Sequence, residues 1–232
     1  MGDPLERYYT PPWVVRQCLQ EVLPHLTTSP RFILEPSAGQ GAFVGPLRRR
    51  FPKAKIVAMD LDDGVGPWKG ATDSLHGDFR SRDTNGPIGQ YIKDAGIPYF
   101  DLIVCNPPFK QYLDFMDVAI TVAENVAFLV PLSFLSSSDR SKFYGLCQPT
   151  HVFILPNRPF FATPVDGMPN KSDRSDYCWV CWSMKRPRIT NLYWLSDVPV
   201  EVRRQSSGRL GAKAGKIKVR RGQGSKLPIP SP

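Results

Sequence analysis

The 232 residues suit one domain of ordinary size with something extra, and a hydrophobic fraction of 41% can supply one substantial core. No run approaches the roughly 18 uninterrupted apolar residues of a membrane span, and the acidic, polar start "MGDPLERYYT" lacks the apolar core of a secretory leader, so no membrane partner is expected. The net charge of +9 is uneven: residues 185–232 hold 12 Lys/Arg against 2 Asp/Glu, whereas residues 1–184 hold 18 against 19. A near-neutral domain over 1–184 with a basic, largely flexible tail over 185–232 points to a polyanion partner.

A first helix is expected over about 11–24, opening at Pro11-Pro12, where proline is tolerated in the first turn. Short apolar runs ending in turn residues follow: "RFILEP" (31–36), "AKIVAMDLD" (54–62), a weak one ending at "HGDF" (76–79), "FDLIVCNPPF" (100–109), "NVAFLVPLSFL" (125–135) and "THVFILPNRPFF" (150–161). Between them, 41–50, 85–95, 111–123 and 139–147 can be helical. Strands alternating with helices predict βαβ units and a mostly parallel sheet. "DYCWVCWSM" (176–184) follows a polar loop without a helical pattern and reads as an antiparallel partner of the run before it, giving seven strands. "ITNLYWLSDVPVEV" can form one more strand or a short docking element.

The five cysteines are scattered and odd in number. Cys178 and Cys181 make a C-x-x-C, but no second pair or His pair follows, and they read as reduced thiols in a core strand. No metal and a reducing, cytoplasmic setting are expected.

"ILEPSAGQGAF" places Gly39 and Gly41 between a strand and a helix, where a backbone can approach a ligand closely. The third glycine of the dinucleotide fingerprint is missing. Glu35 ends the strand, where a carboxylate meets a cation better than a pyrophosphate. Asp60, 25 residues on, ends the next strand and can accept from ribose hydroxyls. A ribose with positive charge and no phosphate fits S-adenosylmethionine better than NAD. Asp78 can accept from an adenine amine, and Phe79 can lie against the ring.

Asn106-Pro107-Pro108-Phe109 ends the next strand, at the edge where open α/β sheets bind ligands. An exocyclic amine is a poor nucleophile because its lone pair is delocalised into the ring. Two acceptors on its two hydrogens, the Asn106 side-chain oxygen and the Pro107 carbonyl, draw the nitrogen toward tetrahedral geometry. The prolines stiffen the loop, and Phe109 can stack on a flat base.

In that order, "YYTPPWVVRQCL", "ILEPSAGQGAF", "IVAMDLD", "GDF" and "FDLIVCNPPF" resemble the class I S-adenosylmethionine-dependent N6-adenine DNA methyltransferases with the cofactor half first, the gamma order. The resemblance covers about residues 8–184. It implies a Rossmann-like α/β fold, with Thr10, Glu35, Gly39, Gly41, Asp60, Asp78 and Phe79 on the cofactor. Asn106 and Pro107 polarise the target amine, Pro108 completes the motif, and Phe109 stacks on the base. The family's sequence-specific members carry a large recognition domain after the catalytic one. Here only 185–232 remain. The loop 156–176 resembles those of compact phage-type adenine methyltransferases, and Phe160 or Phe161 can supply a wedge or second stacking face. DNA is the expected partner, with RNA possible. Relatives acting on glutamine share the Asn-Pro-Pro start and more often end it in Tyr. An inactive, nucleic-acid-tethering fold and a dehydrogenase are further readings, against which the intact motif and the missing glycine weigh.

Overall fold

The computed structural model describes residues 8–81, 83–161, 175–185 and 189–206. Apolar runs become strands: β1 (Phe32–Glu35), β2 (Lys55–Asp60), β3 (Asp73–His76), β4 (Leu102–Cys105), β5 (Asn125–Pro131), β6 (His151–Ile154), β7 (Tyr177–Ser183) and β8 (Asn191–Trp194). They form one sheet in the order β3-β2-β1-β4-β5-β7-β6-β8. β7 runs antiparallel to both β5 and β6; every other pairing is parallel. Every residue of β4, β5 and β7 is buried, as the continuous apolar runs of a sheet covered on both faces require.

The helices are α1 (Pro12–Gln17), α2 (Val44–Arg50), α3 (Pro87–Ala95), α4 (Tyr112–Val122), α5 (Ser138–Leu146) and α6 (Val200–Ser206). Beyond α1 the first helix widens to a π turn over Cys18–Val22 and tightens over Leu23–His25, spanning the expected stretch. Gly96, at φ 62°, stops α3 in the left-handed conformation. The Ser137 side chain accepts the Arg140 N–H and caps α5. One apolar cluster lies between the sheet and the first helix with α2, and a second between the sheet and α3 and α4.

The mostly parallel α/β sheet agrees with the sequence reading, but it has eight strands rather than seven. The added strand is β8, from the stretch left open as strand or docking element. It pairs in parallel with β6, so the reversed strand is the penultimate one in chain order. β8 and α6 lie past Met184 yet belong to the body: Leu195 is buried, and Tyr193 and Val202 pack against the first cluster. Gln17 Nε2 donates to the Ser196 carbonyl at 2.7 Å, and Ser196 N–H donates to Glu21 at 2.8 Å. The middle of the expected recognition loop, 162–174, and the tail from 207 lie outside the described residues.

Cys178 and Cys181 fall on opposite faces of β7, one in each apolar cluster, because an offset of three in a strand reverses the side. The pair cannot converge on one ion. Burial pushes the Cys178 thiol up to about 12 and raises that of Cys181 as well.

Two truncations test how far the body extends. A chain ending at Ser206 keeps every strand and helix of the described residues and should match the full chain in far-ultraviolet circular dichroism and urea midpoint. A chain ending at Lys185 loses β8 and α6. It should be destabilised by more than the roughly 1.5–3 kcal/mol that burial of Leu195 alone contributes, read from urea denaturation.

Candidate active site

A cleft open to solvent lies beyond the carboxyl ends of β1, β2 and β4. Tyr9, Thr10, Glu35, Asp60, Asp78 and Asn106 are on its walls. Segments far apart in sequence converge there because the parallel strands all deliver their ends to one rim.

The glycine loop is held from three sides. Gly39 and Gly41 have φ of 50° and 75°, which side chains other than glycine rarely adopt. The Gly39 N–H donates to Asp60 Oδ2 at 2.7 Å. Trp68 Nε1 donates to the Gly39 carbonyl at 2.8 Å, and a Cβ on Gly41 would come within 2.6 Å of the Trp68 ring. Helix α2 starts at Val44, three residues later than expected, because this turn runs through Ala42 and Phe43 first.

Two carboxylates line the cleft beside this loop. Asp60 accepts from Gly39 on Oδ2 and from the Asp62 N–H on Oδ1 at 3.0 Å, and each oxygen retains a lone pair. Glu35 is 2% exposed, and its Oε2 has no hydrogen-bond partner among the described residues. Burial pushes the Glu35 carboxyl well above the usual range; the Phe43 amide offsets part of this and Asp60 adds to it. A pyrophosphate would bring negative charge against both acids. A ribose-bearing cation suits them.

Asn106 is anchored at one end only. Its Nδ2 donates to the Tyr8 carbonyl at 3.0 Å, while its Oδ1 is sequestered from water with no partner among the described residues. An unmet buried acceptor costs about 1–3 kcal/mol. Pro108 shares the cleft wall with Asn106, and its carbonyl accepts from the Gln111 N–H at 3.1 Å to close a tight turn. Pro107 is buried behind them.

The other expected residues divide. Phe79 is buried against Phe115 at 5.2 Å, and both touch the cleft. Asp78 reaches the cleft, but Arg80 grips both its oxygens at 2.8 and 2.7 Å and holds its carboxyl below the usual range. Phe109 is half-buried beside the cleft. It is stacked on Tyr8 with centroids 5.9 Å apart at 14° and edge-on to Phe134. Phe161 is buried against Tyr177, whereas Phe160 is 44% exposed. The sequence reading passed over Tyr8, Trp68 and Arg80. Only Arg80, two residues after Asp78, left a local signal. Among the described residues no group of three or more His, Cys, Asp or Glu can hold a metal.

No protein-family model matches the chain, and no curated protein matches it in sequence. Solved structures match it in shape. One is a candidate modification subunit of a type I restriction enzyme from Vibrio vulnificus YJ016, with a TM-score of 0.56 at 15% identity over 84% of this chain. A candidate RNA methyltransferase from Pyrococcus horikoshii has a TM-score of 0.54 at 16% identity, over 77% of this chain and 87% of its own. The fold is Rossmann-like, that of the class I methyltransferases. A candidate ribosomal RNA methyltransferase from Plasmodium falciparum shares it, with a TM-score of 0.50 at 13% identity over 73% of this chain and 96% of its own. The chain spans about half of the restriction-enzyme subunit, 48%.

Glu35 gives this cleft a pH signature. A carboxyl whose pKa folding raises makes the native state bind more protons than the unfolded chain. Its contribution to stability is therefore complete below the ordinary glutamate range, about 4.3, and is lost as pH rises through the native value. Glu35→Gln removes that loss. Urea denaturation from pH 4 to 8 should show the variant gaining on the wild type as pH rises. Parallel curves would mean that Glu35 stays charged at no cost.

Proposed function

We propose that the chain transfers a methyl group from S-adenosylmethionine to the exocyclic N6 amine of adenine in DNA. The observation that carries this is the Asn106 amide, tied to Tyr8 through nitrogen and left with an unmet oxygen beside a cleft lined by carboxylates. A polar atom kept dry and unpaired is positioned for a ligand hydrogen, and the amine of a purine supplies one.

When bound, S-adenosylmethionine supplies a methyl group on a sulfonium that is already an excellent leaving group. Glu35 and Asp60 hold the cationic part and the ribose, with Thr10 and the Gly39–Gly41 turn shaping the wall. Asp78 accepts from the cofactor's adenine amine with lone pairs that Arg80 leaves over, and Phe79 flanks that ring. Asn106 Oδ1 and the Pro107 carbonyl accept the two hydrogens of the target amine and free its lone pair. Nitrogen gains the methyl group and loses one proton to water. Phe109 and Tyr8 offer aromatic faces to the target base, and Phe160 is the outward ring of the loop 156–176. A base stacked in a duplex cannot reach Asn106, so the target is extruded at a cost of a few kcal/mol. The tail beyond Ser206 adds affinity through phosphate contacts, each adding about 0.9 to the slope of log affinity against log salt on duplex DNA.

RNA is the second reading. Two of the solved structures that the chain resembles are candidate RNA methyltransferases, and the acceptor pair does not distinguish ribose from deoxyribose. A glutamine amide in a protein offers the same two hydrogens, but it lacks the flat ring that Phe109 suits.

Asn106→Ala removes one preorganised acceptor and should slow methyl transfer roughly 10²–10³-fold while leaving cofactor affinity within a few-fold of wild type. Labelled S-adenosylmethionine offered with DNA, RNA or protein, followed by digestion and identification of the methylated unit, tests the substrate. Label in N6-methyldeoxyadenosine is the expected result. Label in N6-methyladenosine assigns RNA, and label in methylglutamine overturns both nucleic-acid readings.

A further inference from the structure

Four of the chain's five tryptophans are buried: Trp13, Trp68, Trp179 and Trp182 are at most 7% exposed. Trp194 is 70% exposed. It ends β8, in register with Ile154 of β6, and Leu192 sits beside Val152. Strand alternation sends Tyr193 inward, stacked on Phe153 with centroids 4.9 Å apart. Leu192, 51% exposed, and Trp194 stand on the other face.

Strand direction fixes where that ring lies. β5 parallels β4, β7 opposes β5, β6 opposes β7, and β8 parallels β6. β8 therefore runs the same way as β4, and Trp194 stands on the rim that carries Asn106. Four strand spacings separate β4 from β8. At about 4.8 Å each that is roughly 19 Å, close to six base steps of about 3.4 Å. The backbone beneath the ring is pinned: Leu195 N–H donates to the Ile154 carbonyl at 3.0 Å, and Gln17 and Glu21 hold Ser196 from both sides.

Charge identifies the occupant. Lys185, ahead of β8, pairs with Glu124 at 2.9 Å at the opposite edge of the sheet, but the sequence after Trp194 carries nine Lys/Arg, beginning with Arg203 and Arg204, against Asp197 and Glu201. Between 185 and 232, 12 cations stand against 2 carboxylates. An outward indole in a stretch whose sequence carries that surplus suits a strand that pairs an aromatic base with a phosphate. Stacking of this kind tolerates any base, because every base has a π-face.

We propose that Trp194 is a stacking platform for a nucleobase of the substrate strand, several nucleotides from the target held at Asn106. The proposal rests on reading the chain as a nucleic-acid methyltransferase. It gives the chain a second grip on the strand.

The test uses the full chain and fluorescein-labelled single-stranded DNA and RNA of one sequence. Tryptophan emission should be quenched as unlabelled oligonucleotide is added, because one indole faces solvent and four do not. Trp194→Phe should abolish the quench and keep most of the affinity. Trp194→Ala should weaken binding roughly 5- to 150-fold, with the urea midpoint, S-adenosylmethionine affinity and turnover at saturating oligonucleotide unchanged. The DNA and RNA arms show which backbone the platform serves. Full affinity in Trp194→Ala, or a quench that survives in Trp194→Phe, overturns the proposal while leaving the methyltransferase reading intact. A wild-type chain that binds neither DNA nor RNA overturns both. A wild-type dimer in sedimentation that Trp194→Ala converts to monomer, with oligonucleotide affinity unchanged, assigns the face to a second copy and overturns the nucleobase.

Discussion

The reversal of β7 governs the layout of the molecule. This strand pairs antiparallel along the whole of β5, from Asn125 opposite Ser183 to Pro131 opposite Tyr177, and antiparallel again to β6. Two reversals restore direction, so β6 and β8 end on the same rim as β1, β2, β4 and β5. A parallel β7 would have sent its own end to that rim. Instead its start lies there, and Tyr177 packs against Phe109 and Phe161. The aromatic cluster beside Asn106 thus takes rings from the N-terminal segment, the proline turn and β7, all brought together by strand direction.

Rigidity and unmet polarity are set side by side in the cleft. The Gly39–Gly41 turn is over-determined: an indole fills the space beside one glycine, and a carboxylate and an indole N–H hold the other. Against this frame, Glu35 Oε2 and Asn106 Oδ1 are both buried and unpaired among the described residues. Each lowers stability, because desolvating an acceptor without a partner is unfavourable. A loosely held loop would relax until those atoms found a donor or water. The locked turn and the two prolines after Asn106 prevent that relaxation, and this is what preorganisation means in physical terms.

Much of this was legible in the sequence because burial and strand ends leave local marks. "LIVC" before Asn106 and "FILE" before "PSAGQG" are apolar runs cut off by turn residues, and both are strands that end at the cleft. β8 was harder. "NLYW" buries one face in part and sits in a stretch whose charge reads as tail, so packing on β6 rather than local pattern makes it a strand. Trp68 was not legible at all: "GPWKG" has no periodicity, and its role depends on meeting Gly39 and Gly41 from 27 or more positions away. Tyr8 was hidden for another reason. Its hold on Asn106 runs through a backbone carbonyl, which every residue possesses. Phe160 and Phe161 are alike in sequence, and only the fold separates the exposed ring from the buried one.

The charge distribution bears on the proposed nucleic-acid substrate. The cleft wall carries Glu35, Asp60 and Asp78; burial favours the neutral form of Glu35 and Arg80 grips Asp78, which leaves Asp60 as the main carboxylate to disfavour a phosphate there. The net surplus of cations falls elsewhere in the sequence, after Met184. In the proposed function this separation is what the chemistry needs. Asp60 disfavours a phosphate in a pocket that this reading gives to a cationic cofactor and a neutral base, while the basic surplus in the sequence favours a polyanion elsewhere on the chain. A uniformly basic cleft would bind the backbone where the base must enter. In that reading, an acidic cleft with the basic surplus outside it favours entry of a neutral base over entry of the backbone before any base is read.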